Sequence, residues 1–475
     1  MGFFPNDVSD FCCMNLGDGW HSIFRVFHLA NPPQMCYAES NISNLICKGT
    51  FDMVNNFFNI PIIDISQEEQ YFRVVDKEDG VYLGHVTTAM LEDQKTIYAV
   101  YPKSHGKGAI VLKRSDDAGV SFGERLPVPK SWATSFECPI LYRTADKEGR
   151  SHLILFSGLR PLRMAHSEDD GKTWSELEPV GNFGGVCSLG SITPLGDGRY
   201  LGIFHDTGMA MGDEVNAKYT CYTKGSGTDI VSRYTLSVKN PDGTWEEEKC
   251  DWIHAYDNVQ GAWEKTAVCE LAKFEGKPDD VYTVYTTLSE DGGLTWSYPT
   301  EIFKSDEIGL CEPHLIRSLD GKELACLLRE NKRVKNSMLM ISRDNGKTWS
   351  KPRELPLSLT GDRHTAKYLP DGRLFISFRD MARNSPTKCS WVGWVGTYDD
   401  IVSGRDGQYR ILFKRTFNNF YDCAYPGVEI LPDGTIVSVT YGRWETKDYS
   451  FIYRVRLNIK DLDEKYAKGE GFLTL

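Results

Sequence analysis

At 475 residues, 41% of them hydrophobic and 12% aromatic, the chain has material for a large core, and 43 glycines with 21 prolines suit many short strands and turns. Lysine and arginine total 54 against 66 aspartates and glutamates, a formal charge of −12 with no basic run to offset it, so nucleic acid and anionic membrane surfaces are poor partners. No stretch is apolar enough to span a bilayer, and the 13 cysteines are scattered with no C-x-x-C, which favours free buried thiols over disulfides or zinc.

Residues 1–65 carry no repeat, and the Met1-Gly2-Phe3-Phe4-Pro5 opening lacks the basic segment and apolar run of a signal peptide. This part is expected to be an irregular extension packed on the body, and the cytoplasm is favoured over secretion without a visible leader. From residue 66 to 475 a single domain is expected. Its units start with a polar cluster and an apolar run, then turn, as at Leu369-Pro370-Asp371-Gly372. They return through a second apolar run such as Leu374-Phe375-Ile376-Ser377-Phe378, which ends on Arg379-Asp380. That pattern predicts a hairpin with alternating burial.

A nine-residue phrase closes several units: Ser115 to Gly123 in a worn form, then Ser167 to Ser175, Ser289 to Ser297, and Ser342-Arg343-Asp344-Asn345-Gly346-Lys347-Thr348-Trp349-Ser350. The Asp accepts hydrogen bonds from the backbone that follows it, the Gly supplies a positive φ, and Thr-Trp opens the next strand. Four copies predict a repeat architecture, an all-β propeller of four-stranded blades. First strands begin near His85, Glu137, Cys187, Glu312, Arg363 and Tyr425. The long step between Cys187 and Glu312 favours two blades there, seven in all, with Ser237 to Trp245 as a degraded phrase; the alternative is six blades with an insertion at about 207–275. Tyr71-Phe72-Arg73-Val74-Val75 is expected to complete the last blade and close the ring.

Hairpin geometry places the starts of first strands and the ends of second strands at one rim, opposite the Leu-Pro-Asp-Gly turns. His85, His105 and Tyr425 are the catalytic candidates there. Arg329, Arg363, Arg160, Lys103, His364, Glu312 and His205 are the candidates for holding substrate; an arginine cluster on an acidic protein suits a carboxylated sugar. His205-Asp206 reads equally as an orienting pair or a catalytic one. Trp391, Trp394 and Trp444 would be the stacking platforms of a purely glycan-binding propeller, a reading that the rim histidines disfavour.

The repeated phrase resembles the Asp box of sialidases and related propeller enzymes. The Arg-Ile-Pro phrase with which sialidases usually open their first blade is replaced here by Gly84-His85-Val86-Thr87. The blocks Gly-His-x-Thr-Thr, Tyr-Pro-Lys-x-His-Gly-x-Gly, Leu-Arg-Glu-Asn, Gly-Asp-Arg-His-Thr and Asp-Cys-Ala-Tyr-Pro-Gly resemble those of a large sialidase-like family. Within it they are similar to L-rhamnose-α-1,4-D-glucuronate lyases, over about residues 70–460. That resemblance implies β-elimination at a uronic acid in rhamnosyl-glucuronate caps of plant arabinogalactan. It casts His105 or His85 as base, the other or Tyr425 as acid, and Arg329 and Arg363 on the carboxylate. It requires no cofactor, and it also implies a structural calcium ion on the propeller axis, although no D-x-D-type loop announces one. A monomer acting on an acidic glycan is expected, with an exo-sialidase-type hydrolase as the alternative.

Overall fold

The computed structural model describes residues 58–211, 215–248, 259–271, 281–446 and 448–473. The expected extension up to residue 57 lies outside the described residues. The rest is a β-propeller whose strands group into seven sheets. Six of these radiate from an axis, and their innermost strands touch in a closed order: Thr87–Met90, Ile140–Ala145, Val186–Gly196, Leu310–Arg317, Gly361–Tyr368, Gly427–Ile430 and back to Thr87–Met90.

The seventh sheet, built of Ala217–Ser226, Asp229–Lys239, Trp245–Glu248 and Glu264–Leu271, is no blade. It is inserted in the third blade, whose second strand Arg199–Asp206 pairs across the insertion with Tyr282–Ser289. The favoured count of seven therefore gives way to six with an insertion. The segment read as a degraded box, Ser237 to Trp245, is a hairpin of this inserted sheet.

Second strands such as Ile97–Pro102, Leu324–Glu330 and Thr435–Gly442 are buried along their whole length rather than alternately. Each blade is covered on both faces by its neighbours, so the alternation expected of a half-solvated hairpin is lost. Trp391 and Trp394 belong to this packing, both fully buried, and Trp444 is only 8% exposed; none is a surface platform.

All four Asp boxes form, and each third strand ends on its box serine. In the clearest copy, Asp344 accepts from Thr348 N–H at 2.9 Å and Thr348 Oγ1 at 2.6 Å, while Gly346 N–H donates to Ser342 Oγ at 2.8 Å. The box glycine also touches the preceding blade: a Cβ on Gly346 would lie 2.3 Å from Leu201, and one on Gly171 2.5 Å from Tyr98. These hydrogen bonds, the Thr348 hydroxyl first, pull the Asp344 carboxyl down to about 2. A carboxyl depressed in the fold stabilises above its unfolded pKa, near ~4, and loses that contribution as pH falls through about 2. Asp344→Ala is expected to lower the melting temperature by a few degrees at neutral pH, with the gap to wild type closing toward that acid limit, and to leave turnover unchanged because the box faces away from the mouth.

The two blades without a box take strands from the N-terminal segment instead. Ile62–Asp64 pairs in parallel with Tyr409–Lys414 of the fifth blade, and Phe72–Asp76 pairs antiparallel with Phe451–Asn458 of the sixth, the ring closure expected from sequence.

Candidate active site

The mouth is shaped by one repeated backbone device. Where the first strands begin, His85, Cys187, Ser188, Glu312, Arg363 and Ala424 take positive φ of 49–58°. The registers of the third, fourth and fifth blades slip at these points. A non-glycine residue held in this region costs on the order of 1–3 kcal/mol and persists only where its surroundings enforce it. These bends reset the side-chain phase, so that His85, Glu312 and Arg363 enter the cluster at the axis.

At the first and sixth blades two tyrosine relays converge on Asp422. Tyr82 donates its O–H to the Asp422 carboxylate at 2.9 Å, and its Oη lies 2.8 Å from Nδ1 of His105. With the phenolic proton given to the carboxylate, Tyr82 accepts Nδ1–H of His105, leaving Nε2 as the basic nitrogen. In parallel, Tyr441 donates to Asp422 at 3.0 Å, and His85 Nε2 lies 3.4 Å from the Tyr441 oxygen. His85 Nδ1 accepts Gly106 N–H at 2.8 Å, so its proton resides on Nε2. Burial opposes the Asp422 charge, but the cations around it, His105 once it is protonated and then Arg443, outweigh it and hold the carboxyl below its usual value. Asp422 anchors both tyrosines and Arg443.

The two candidate histidines are thus distinguished. His85 is 1% exposed and braces the loop at Gly106, whereas the His105 side chain is 18% exposed, although its Nε2 is itself buried. The ring of His85 stands edge-on between its neighbours, 4.5 Å from His105 and 4.6 Å from Tyr425.

Tyr425 donates to Glu312 at 2.5 Å, and Arg329 Nη1 donates to both, at 2.6 Å to Glu312 and 3.0 Å to the Tyr425 oxygen. Behind them Asp362 gathers three guanidiniums: Arg329 Nε at 3.3 Å, Arg333 at 2.7 Å and Arg379 at 2.7 Å. Burial works against that carboxylate, but Arg329, Arg333 and Arg379 together hold it far below the usual range. Arg329 is thus committed to protein carboxylates, contrary to its expected place on the substrate carboxylate.

Arg363 differs. It is 7% exposed, and among the described residues no carboxylate lies within ion-pair distance and Nη1 has no hydrogen-bond partner. Its guanidinium approaches Gly190, Tyr142 and the Cys138 and Cys187 thiols. Glu312 also acts on it from beyond ion-pair distance, so the guanidinium stays charged with no carboxylate in direct contact.

The remaining candidates are structural in their contacts. His364 bonds Leu359 O at 2.8 Å and packs on Phe378, because neighbouring strand residues face opposite ways and Arg363 takes the axis. His205 is buried, and its Nδ1 accepts Glu312 N–H at 3.3 Å, which steadies the bend at Glu312. Asp206 instead accepts N–H groups of Gly208, Ala210 and Met211, so the two are not a catalytic pair. Lys103 pairs with Glu78 at 3.3 Å, and Arg160 donates to Asn182 at 3.0 Å.

Tyr82 escaped sequence reading because it precedes the strand pattern, yet a signal exists. Gly84 has no room for a side chain, since its Cβ would lie 2.5 Å from the Tyr82 ring. Asp422 is legible only as a residue flanking Tyr425, and Tyr441 as a second-strand end at the rim.

Among the described residues, one group of three or more His, Cys, Asp or Glu side chains is close enough to share an ion: Glu137, Cys138 and Cys187. Two soft sulfurs and one carboxylate do not fit calcium, which takes six to eight oxygens.

Residues 340–351 match the BNR/Asp-box repeat. No curated protein matches the chain. A protein of unknown function from Dyadobacter fermentans has a similar structure, with a TM-score of 0.52 and 13% identity over 82% of this chain and 98% of that one. The Hadza microbial sialidase Hz136 gives 0.45 and 13% over 80% of this chain and 66% of that one. Trypanosoma rangeli sialidase in complex with the inhibitor DANA gives 0.45 and 12% over 86% of this chain and 59% of that one. At these identities the likeness is one of fold.

Proposed function

We propose that this propeller is a carbohydrate-active enzyme that cleaves a uronic-acid glycosidic bond by β-elimination, a polysaccharide lyase. The observation that supports it best is the Asp422–Tyr82–His105 relay, which fixes the histidine tautomer and presents Nε2 as a base. Arg363 would meet the uronate carboxylate and make the neighbouring C5 proton acidic by neutralising the charge that develops there. His105 Nε2 takes the C5 proton, its electron pair forms the C4–C5 double bond, and the C4–O4 bond breaks. The leaving oxygen receives the Tyr425 proton, and the resulting phenolate is stabilised by Arg329 Nη1, 3.0 Å from its oxygen. His85 positions the loop that carries His105. The rhamnosyl-glucuronate caps of arabinogalactan are the substrate that the sequence resemblance favours.

One observation favours a second reading, a sialidase-type hydrolase. The Tyr425–Glu312 hydrogen bond of 2.5 Å is the pairing that a tyrosine nucleophile uses. Against it, Arg329, Arg333 and Arg379 are turned onto Asp362, and Asp422 is taken up by Tyr82, Tyr441 and Arg443.

Incubation with gum arabic separates the two. Elimination leaves an unsaturated uronate that absorbs in the ultraviolet, and that band is expected to grow with time. Free sugar without the chromophore would establish hydrolysis, and no product from either this glycan or sialosides would leave a binding propeller.

A further inference from the structure

We infer that Glu137, Cys138 and Cys187 form a binding site for a thiophilic divalent cation of the zinc class, beside His85 at the propeller axis. One donor atom from each lies within 4.8 Å of the other two. Around a tetrahedral zinc with Zn–S near ~2.3 Å and Zn–O near ~2.0 Å, neighbouring donors sit roughly 3.5–3.8 Å apart, so closure requires about 1 Å of side-chain movement.

The backbone is built for this approach. Cys187 and Ser188 are successive non-glycine residues at φ 57° and 53°, a bend that brings Cys187 to Glu137. Glu137 Oε2 accepts Cys187 N–H at 3.2 Å and Cys138 N–H at 3.4 Å, and lies 3.8 Å from Cys138 Sγ. Gly158 allows Glu137 to lie so close, since its Cβ would come within 2.8 Å of the Glu137 Cβ.

Three protein donors leave a fourth tetrahedral position open, the arrangement of metal sites that bind water or substrate. Gly106 lies against the cluster: an added Cβ would sit 3.6 Å from Cys138 Sγ, 3.9 Å from Glu137 and 3.9 Å from His85 Cε1. Two thiolates select a soft cation over calcium or magnesium. A dication held by two thiolates and one carboxylate carries a net negative charge, which Arg363 near both thiols and Lys107 near Glu137 offset. The cysteines come from successive blades, so no short cysteine spacing announces them. The site stands whether the pocket eliminates or hydrolyses.

Full-chain protein produced in zinc-supplemented medium and freed of loose metal by gel filtration is expected to retain one zinc per chain by elemental analysis. Exchange to cobalt(II) is expected to give the near-ultraviolet thiolate-to-cobalt charge-transfer band. Cys187→Ser and Cys138→Ser should each weaken cobalt binding by more than about tenfold and lower that band. Cys389→Ser, a thiol of the fifth blade, should change neither. Glu137→Gln, close in size, should weaken binding while keeping the band, which separates ligand loss from misfolding. The inference is overturned if folded wild type shows neither metal nor band, if the band survives the Cys138→Ser/Cys187→Ser double substitution, or if the two thiols are recovered as a disulfide.

Discussion

His105→Ala is expected to lower kcat on the uronate substrate by about 10³-fold, within the range a positioned general base contributes, with the melting temperature unchanged. The side chain is partly exposed, and the loop that carries it keeps its own ties, Gly106 N–H to His85 at 2.8 Å and Gly108 N–H to Ser135 O at 2.8 Å. Tyr82→Phe removes both the O–H given to Asp422 and the oxygen that holds Nδ1, and should cost roughly 10–100-fold, the scale of an orienting partner's loss. In the His105→Ala background the same change should cost little more, because the tyrosine acts only through the imidazole. His85→Ala should lower both activity and melting temperature, since the acceptor for Gly106 disappears. Equal melting losses for His105→Ala and His85→Ala, or additive losses for Tyr82 and His105, would remove His105 from the role of base.

Arg363→Met gives the second large effect. On a uronate substrate kcat/KM is expected to fall by about 10²–10³-fold, the scale of losing one preorganised charge-stabilising group. On the same glycan with its carboxyl reduced to an alcohol, variant and wild type should be equally slow. The melting temperature should hold or rise, because a buried cation with no described carboxylate partner is replaced by an apolar side chain of similar length. A stability loss together with equal activity losses on both substrates would make Arg363 a packing residue and return the carboxylate to another cation.

What was legible in the sequence follows the range of the interactions. An Asp box bonds within nine residues, so its letters announce it even in the worn copy at Ser115, where Ser121 N–H reaches Asp117 at 2.9 Å. The blade count was misread because the third blade pairs Arg199–Asp206 with Tyr282–Ser289 across an insertion whose strands are as long as those of a blade. Arg363 and His364 could not be told apart, since the left-handed bend at φ 52° resets which neighbour faces the axis. The Tyr82–Asp422 bond joins residues 340 positions apart and has no local trace.

The strands that complete the fifth and sixth blades precede every other part of the ring along the chain. During synthesis Ile62–Asp64 and Phe72–Asp76 must wait, with unsatisfied edges, until Tyr409–Lys414 and Phe451–Asn458 have emerged. The first four blades can form by hairpins and box turns as they leave the ribosome, or in the third case once its insertion has passed. The fifth already has four consecutive strands, from Gly361–Tyr368 to Tyr409–Lys414, and takes Ile62–Asp64 only as an added edge. The sixth reaches four strands by loop closure over more than three hundred residues, so the slow step of folding falls there, and with it the window in which the chain is most open to aggregation and proteolysis. The sixth blade also supplies Asp422, Tyr425 and Tyr441, so the candidate site is the last part of the molecule to come into existence.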